Sequence, residues 1–177
     1  MKLTSDPTRT DGDRESTRAA QLELARTVVV NQLAARDRSS AELRRAIARR
    51  GIPQDVADEV LDRFGELGLV DDAAFAASLT SSRVAHSLRG RYRIRQELAE
   101  KGVSGEQVSE ALAELDPEAE RDAARKFAQK RARALAGVER RVAYRRLGGA
   151  LARRGFPADI VEQVLAEVLS EWGSANL

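Results

Sequence analysis

The sequence contains no cysteine and a single histidine in 177 residues. Without thiols there can be no disulfide and no thiolate metal site, and a reducing, cytoplasmic setting fits. No run of eighteen apolar residues occurs, so no membrane span is expected. The opening stretch MKLTSDPTRTDGDREST has no apolar core and does not read as a secretory signal. There is no G-x-x-x-x-G-K-[ST] phosphate loop and no nucleophile elbow. A Ser/His/Asp relay would have to use His86 as its base. His86 stands at helical spacing from Phe75 and Leu79 and reads as a partly buried packing residue. Asp71-Asp72 would hold a metal only with partners, and reads as a helix N-cap. No enzyme activity, cofactor or metal site is expected.

What is present is helical. Aromatic residues are 4% of the chain, while Ala, Leu, Arg and Glu dominate. The stretch Arg91–Leu112 sets the pattern. Ile94 and Leu98 share one helix face, Lys101 and Gly102 close that helix, Val103 follows, and a second amphipathic run carries Val108, Ala111, Leu112 and Leu115. The same unit appears upstream around Arg50-Gly51-Ile52-Pro53 and downstream around Arg154-Gly155-Phe156-Pro157. The three glycines are 51 and 53 residues apart, and each is followed four residues on by an acid: Asp55, Glu106 and Asp159. Agreement at so many positions makes this a repeat.

The periodicity predicts an all-α protein of three tandem three-helix repeats. Residues 1–17 read as a disordered tail, 18–68 as repeat one, 69–115 as repeat two, 116–172 as repeat three and 173–177 as a short C-terminal tail. In repeat one, Leu22, Ala25, Val29 and Leu33 line the first helix. Ser39-Ser-Ala-Glu42 is a capping box for the second, and Val56, Val60, Phe64 and Leu67 face inward from the third. In repeat three, Asp116-Pro117-Glu118 starts a longer helix with Ala124, Phe127, Ala128, Arg131 and Leu135 on one side. Gly148-Gly149 weakens the next helix, and Val161, Val164, Leu165, Val168 and Trp172 form the last stripe. A unit of about 50 residues is marginal alone, so neighbouring units should stack into an elongated, curved array.

The net charge of +2 hides an alternation. Residues 36–50 and 83–101 each carry +4, and residues 121–154 hold twelve bases against two acids. The third-helix segments 53–68, 104–120 and 157–172 carry −4, −6 and −4. Complementing helix dipoles and ordinary surface pairing explain part of this. They explain the last basic block poorly, and a basic stripe meeting a polyanion or an acidic protein face is expected. The candidate contacts are Arg44, Arg45, Arg49, Arg91, Arg93, Arg95, Arg140, Arg141, Arg145 and Arg146. Of 30 basic residues 26 are Arg, which suits bidentate phosphate contacts but also follows from GC-rich coding. Tyr92 and Tyr144 sit among these arginines, where packing is the ordinary reading and stacking on bases the alternative.

The residues Asp71-Asp72-x-x-Phe75-Ala76, Arg83, and Gly90-x-x-Arg93-Ile94-x-x-Glu97-Leu98-x-x-Lys101-Gly102-Val103 resemble the middle repeat of the RecX family, bacterial regulators of the RecA recombinase. The Gly51 and Gly155 units resemble the outer repeats, so the likeness covers about residues 18–172. Leu79 departs from it, since an aromatic residue is usual there, and altered packing is the expected consequence. The resemblance implies a monomeric helical-repeat protein that binds the groove of the RecA filament and single- or double-stranded DNA. It also implies suppression of ATP hydrolysis and strand exchange with no activity of its own. The competing reading is a DNA-binding helical module with no recombinase partner, and a third is a scaffold for acidic peptides.

Overall fold

A computed structural model describes residues 7–170, with side chains from residue 14 onward. Residues 1–6, Trp172 and the 173–177 tail lie outside the described residues. Among the described residues every regular element is helical: α1 Pro7–Ala35, α2 Ser40–Ala48, α3 Gln54–Glu66, α4 Asp72–Ala85, α5 Arg91–Glu100, α6 Gly105–Ala113, α7 Pro117–Ala132, α8 Arg140–Arg153 and α9 Ala158–Ser170, with a 3-10 turn at Arg133–Leu135. The chain forms two compact units, one ending at Phe75 and the other starting at Ala76, so the boundary falls one turn into α4.

In the first unit α1 packs on α2 and α3. Its core is Ala25, Val28, Val29, Leu43, Ala46, Ile47, Val56, Ala57, Val60 and Leu61, with Ile52 and Val70 at the loops. Burying each large aliphatic side chain contributes about 1.5–3 kcal/mol. The helix α1 begins at Pro7, so residues 7–17 are helical and not the tail the composition suggests. Arg18 extends the contact, pairing with Asp55 and with Glu59 at 2.7 Å on α3. The capping box forms as expected: Ser39 Oγ accepts from Glu42 N, and Glu42 Oε2 accepts from Ser39 N. Leu67 is not on the α3 face. It caps the helix C-terminus and is 55% exposed, because Gly68 turns the chain there, and Val70 fills the core instead.

In the second unit Ile94 and Leu98 of α5 are fully buried, with Val103, Val108, Ala111 and Leu112 beside them in sequence and in the core. The helices α7, α8 and α9 pack on one another. Phe127 and Leu135 are only half-buried and Arg131 is exposed; the inward face of α7 is Glu120, Ala123, Ala124, Ala128 and Ala132. The stripe of α9 is Ile160, Val164, Leu165 and Leu169, displaced from the expected one, with Val161 and Val168 half-buried. Gly148 is a packing position and not merely a weakness, since a Cβ there would stand 3.3 Å from Leu165 Cδ1. His86 is exposed although its amide still donates to Ser82 O at 3.0 Å, while Val84 is buried.

The second and third repeats join through backbone. The first amides of α5 lack partners within their own helix. Gly90 N donates to Arg154 O at 3.0 Å and Tyr92 N to Gly155 O at 3.0 Å, while Arg91 N donates to Glu120 Oε1 at 2.7 Å. The carbonyls at the end of α8 thus satisfy the start of α5. Contact this close needs two glycines, because a Cβ on Gly90 or Gly155 would lie closer than 3.0 Å to the opposing backbone.

Candidate nucleic-acid interface

The basic segments fall into two classes once their partners are located. The first class is held by carboxylates. Arg83 donates from Nε and Nη2 to Glu97, at 2.6 Å for the shortest bond, and Arg89 joins the same carboxylate. Hydrogen bonding from Arg83 holds the Glu97 carboxyl below its ordinary value and raises Arg83. Arg121 and Arg125 share Glu167 on α9, at 2.6 and 2.9 Å, and lower its pKa. Arg44 pairs with Asp58 at 2.8 Å. In the first and third repeats an acid of the third helix therefore neutralises bases on the other helices, while in the second repeat the carboxylate is Glu97 of α5.

Arg91 also belongs to this class. Its guanidinium meets Glu120, a carboxylate with no exposed surface, through Nε at 2.8 Å and Nη2 at 2.7 Å, and the pairing raises the Arg91 pKa. A buried carboxylate is strongly disfavoured without such partners. Among the ten candidates Arg91 is thus tied into the junction of α5 with α7. Arg93 bonds Gln96 at 2.7 Å on its own helix.

The second class has no partner. Arg49, Arg95, Arg140, Arg141, Arg145 and Arg146 are exposed, and no carboxylate among the described residues pairs with any of them. Arg45 is exposed on the same helix as Arg44. The large basic block divides accordingly. Its leading arginines are held by Glu167, while the bases from Lys130 onward on α7, the 3-10 turn and α8 are open, except Arg154. Arg154 donates to Ser87 O at 2.9 Å and lies over the Phe127 ring, 4.7 Å from its centroid. Tyr92 is 60% and Tyr144 50% exposed, so each presents much of its ring to solvent.

Two further bases, not among the ten candidates, join this surface. Arg131 at the end of α7 and Arg153 at the end of α8 line one concavity of about 550 Å³ together with Arg145 and Arg146. Spacing along one helix groups Arg146 with Arg153, seven residues on, but only the packing of α7 on α8 brings Arg131 to them.

Asp71 and Asp72 are structural. Asp71 Oδ1 accepts from Ala73 N at 2.9 Å and Ala74 N at 3.0 Å, which caps α4, and Asp72 Oδ1 accepts from Ser40 N at 2.8 Å at the start of α2. No group of three His, Cys, Asp or Glu suited to a metal ion occurs among the described residues, and none of their helices is long and apolar enough to cross a membrane.

Comparison with known proteins gives one family three times. Family models for the first, second and third three-helix domains of RecX match residues 25–64, 71–112 and 118–165. The chain is 42% identical over 152 residues to the regulatory protein RecX of Mycobacterium avium (strain 104), covering 84% of this chain and 87% of that protein. It is 38% identical over 174 residues to the regulatory protein RecX of Mycolicibacterium smegmatis, covering 96% and 93%. A crystal structure of RecX from Lactobacillus salivarius shares the fold, with a TM-score of 0.78 at 21% identity over 85% of this chain and 97% of that one.

Proposed function

The chain belongs to the RecX family of regulatory proteins, and on that premise we propose that it is a non-enzymatic inhibitor of the RecA recombinase that binds the groove of the RecA–DNA filament. In that position it suppresses ATP hydrolysis and strand exchange. The observation that supports this reading is the sorting of charge. Carboxylates neutralise the arginines at helix junctions, while Arg49, Arg95, Arg140, Arg141, Arg145 and Arg146 stay exposed and unpaired among the described residues. Six like charges left open raise the electrostatic free energy of the folded chain unless a polyanion is met. Exposed Tyr92 and Tyr144 offer rings on which bases can stack.

The test is RecA-catalysed ATP hydrolysis on single-stranded DNA, titrated with the wild-type chain and with Arg140→Ala/Arg141→Ala/Arg145→Ala/Arg146→Ala. The variant must first melt like wild type, because Arg stems also cover apolar surface. Its inhibition should need a higher concentration. Its DNA affinity should fall less steeply with salt, the slope of log K against log salt losing about 0.7 per lost contact on single strands. Unchanged potency and slope would make this surface merely solvated. DNA binding that RecA does not alter, with no inhibition of RecA at saturation, would favour a DNA-binding module without a recombinase partner.

A further inference from the structure

The concavity between the end of α7 and α8 has a composition that duplex or single-stranded DNA alone does not explain. Four arginines, Arg131, Arg145, Arg146 and Arg153, line a volume of about 550 Å³, and no carboxylate lines it. Its volume is that of a small-molecule site. Ala134, Leu135, Leu147 and Gly149 complete the lining. A Cβ on Gly149 would stand 3.3 Å from Arg153 Nη1, so the missing side chain lets Arg153 fold back along α8 toward the cavity. The helix dipole accounts for a cation at each helix end, Arg131 and Arg153. It does not account for Arg145 and Arg146 in the body of α8, where Arg145 stands four residues from Arg141 and like charges at that spacing repel.

A phosphodiester brings one negative charge per nucleotide along a strand. Four arginines lining one concavity match a denser anion. Each fork can take two oxygens of one phosphate, and linked phosphates put several charges into one small volume. We infer that this concavity is a binding site for a compact polyphosphate, the phosphate chain of a nucleoside triphosphate or of inorganic tripolyphosphate. The site needs neither RecA nor DNA to be occupied. Bound polyphosphate would cover Arg145 and Arg146 and so compete with any nucleic acid that uses them.

Sodium tripolyphosphate titrated calorimetrically into the full chain near physiological salt tests this. Saturable one-to-one binding is expected, with ATP binding at the same site. Arg131→Gln/Arg153→Gln should lower the affinity at least about tenfold, since hydrogen bonds to charged groups are lost. Arg140→Gln/Arg141→Gln removes the same charge outside the concavity and should leave the affinity within about twofold, as screened exposed charges predict. Far-UV circular dichroism and melting of each variant come first, and Arg131→Lys/Arg153→Lys replaces the Gln pair if that unfolds. Equal losses in both double variants, or no saturable binding, would overturn the proposal. If tripolyphosphate does not bind while single-stranded DNA needs Arg131 and Arg153, the concavity is a backbone contact. The polyphosphate site then falls and the DNA reading stands.

Discussion

Gly51 and Gly155 occupy the same position in two copies of one repeat, yet they do different work. Both follow an arginine at a helix C-terminus and both have positive φ, +72° and +86°. Around Gly51 an added Cβ would meet nothing within 4 Å. Around Gly155 it would strike the backbone of Arg93, and the carbonyl of Gly155 accepts from Tyr92 N. The local rule, a left-handed residue to end a helix, is satisfied at both. Only at Gly155 has the bare backbone also become the seam that fastens α8 to α5. A repeat conserves the conformation of its parts, and the use of a part depends on its neighbour.

That difference can be broken by substitution. Gly155→Ala should destabilise its unit by about 3 kcal/mol or more, left-handed strain of 1–2 kcal/mol adding to backbone overlap. Gly51→Ala carries the strain alone and should cost about 1 kcal/mol. Gly90→Ala isolates the overlap, because φ at Gly90 is an ordinary −86°. Hydrogen exchange read by segment is the measurement. Gly155→Ala and Gly90→Ala should expose the amides of α5 and α8, whereas Gly51→Ala should affect α2 and α3. Equal effects of the two alanines at 51 and 155 would mean that the seam contributes nothing.

The side-chain half of the seam is smaller. Glu120→Ala removes the acceptor for Arg91 N, Nε and Nη2 at once. Removing one member of a buried pair costs about 3–5 kcal/mol when the survivor stays buried. The Arg91 side chain is 34% exposed and can recover water, so about 2 kcal/mol is expected. Urea unfolding gives the value, and Glu120→Gln should recover part of it by keeping an acceptor oxygen. A loss below that of Gly51→Ala would show that the backbone bonds alone hold the junction.

These junction residues also show what was legible in the sequence. Period and punctuation gave the helices, the repeat and most caps, since those depend on neighbours along the chain: the Ser39 box, Asp116 with Pro117, and the glycine stops. Nearly every residue of the middle-repeat motif turns out to be architectural. Asp71 caps, Phe75 and Leu98 are buried, Arg83 holds Glu97, and Gly90 admits Gly155. The candidate surface was legible only as charge. Counting bases by segment could not reveal that Arg91 is taken by Glu120, 29 residues away, or that Arg131 meets Arg153 across two helices. Those facts depend on packing, to which periodicity along one helix is blind. His86 and Leu67 fail in the same way: each continues the helical spacing at a helix end, yet the fold leaves both exposed, and spacing carries no record of what packs there.

The weakest expected effect lies in the ion pair beside the seam. Glu97 accepts from Arg83 and Arg89, and Arg83 does most to lower its pKa in the folded chain. A carboxyl whose folded pKa is depressed adds stability that is complete above its unfolded value, about 4.3. That stability is lost as pH falls through the lower folded value, because the unfolded chain then binds the proton more readily. At neutral pH, Glu97→Gln should therefore be less stable than wild type, and the two should converge as pH drops below about 4. The pair is partly exposed, so the gap should be on the order of 1 kcal/mol and should shrink in high salt. Chemical unfolding of both proteins across pH 3 to 7 measures the gap directly. The backbone half of the seam, at Gly90 and Gly155, carries no titrating group, so the gap between Gly155→Ala and wild type should change far less over the same range. A gap for Glu97→Gln equally indifferent to pH would mean that Arg83 holds the amide as well as the carboxylate, and that the pair acts by hydrogen-bond geometry and not by charge.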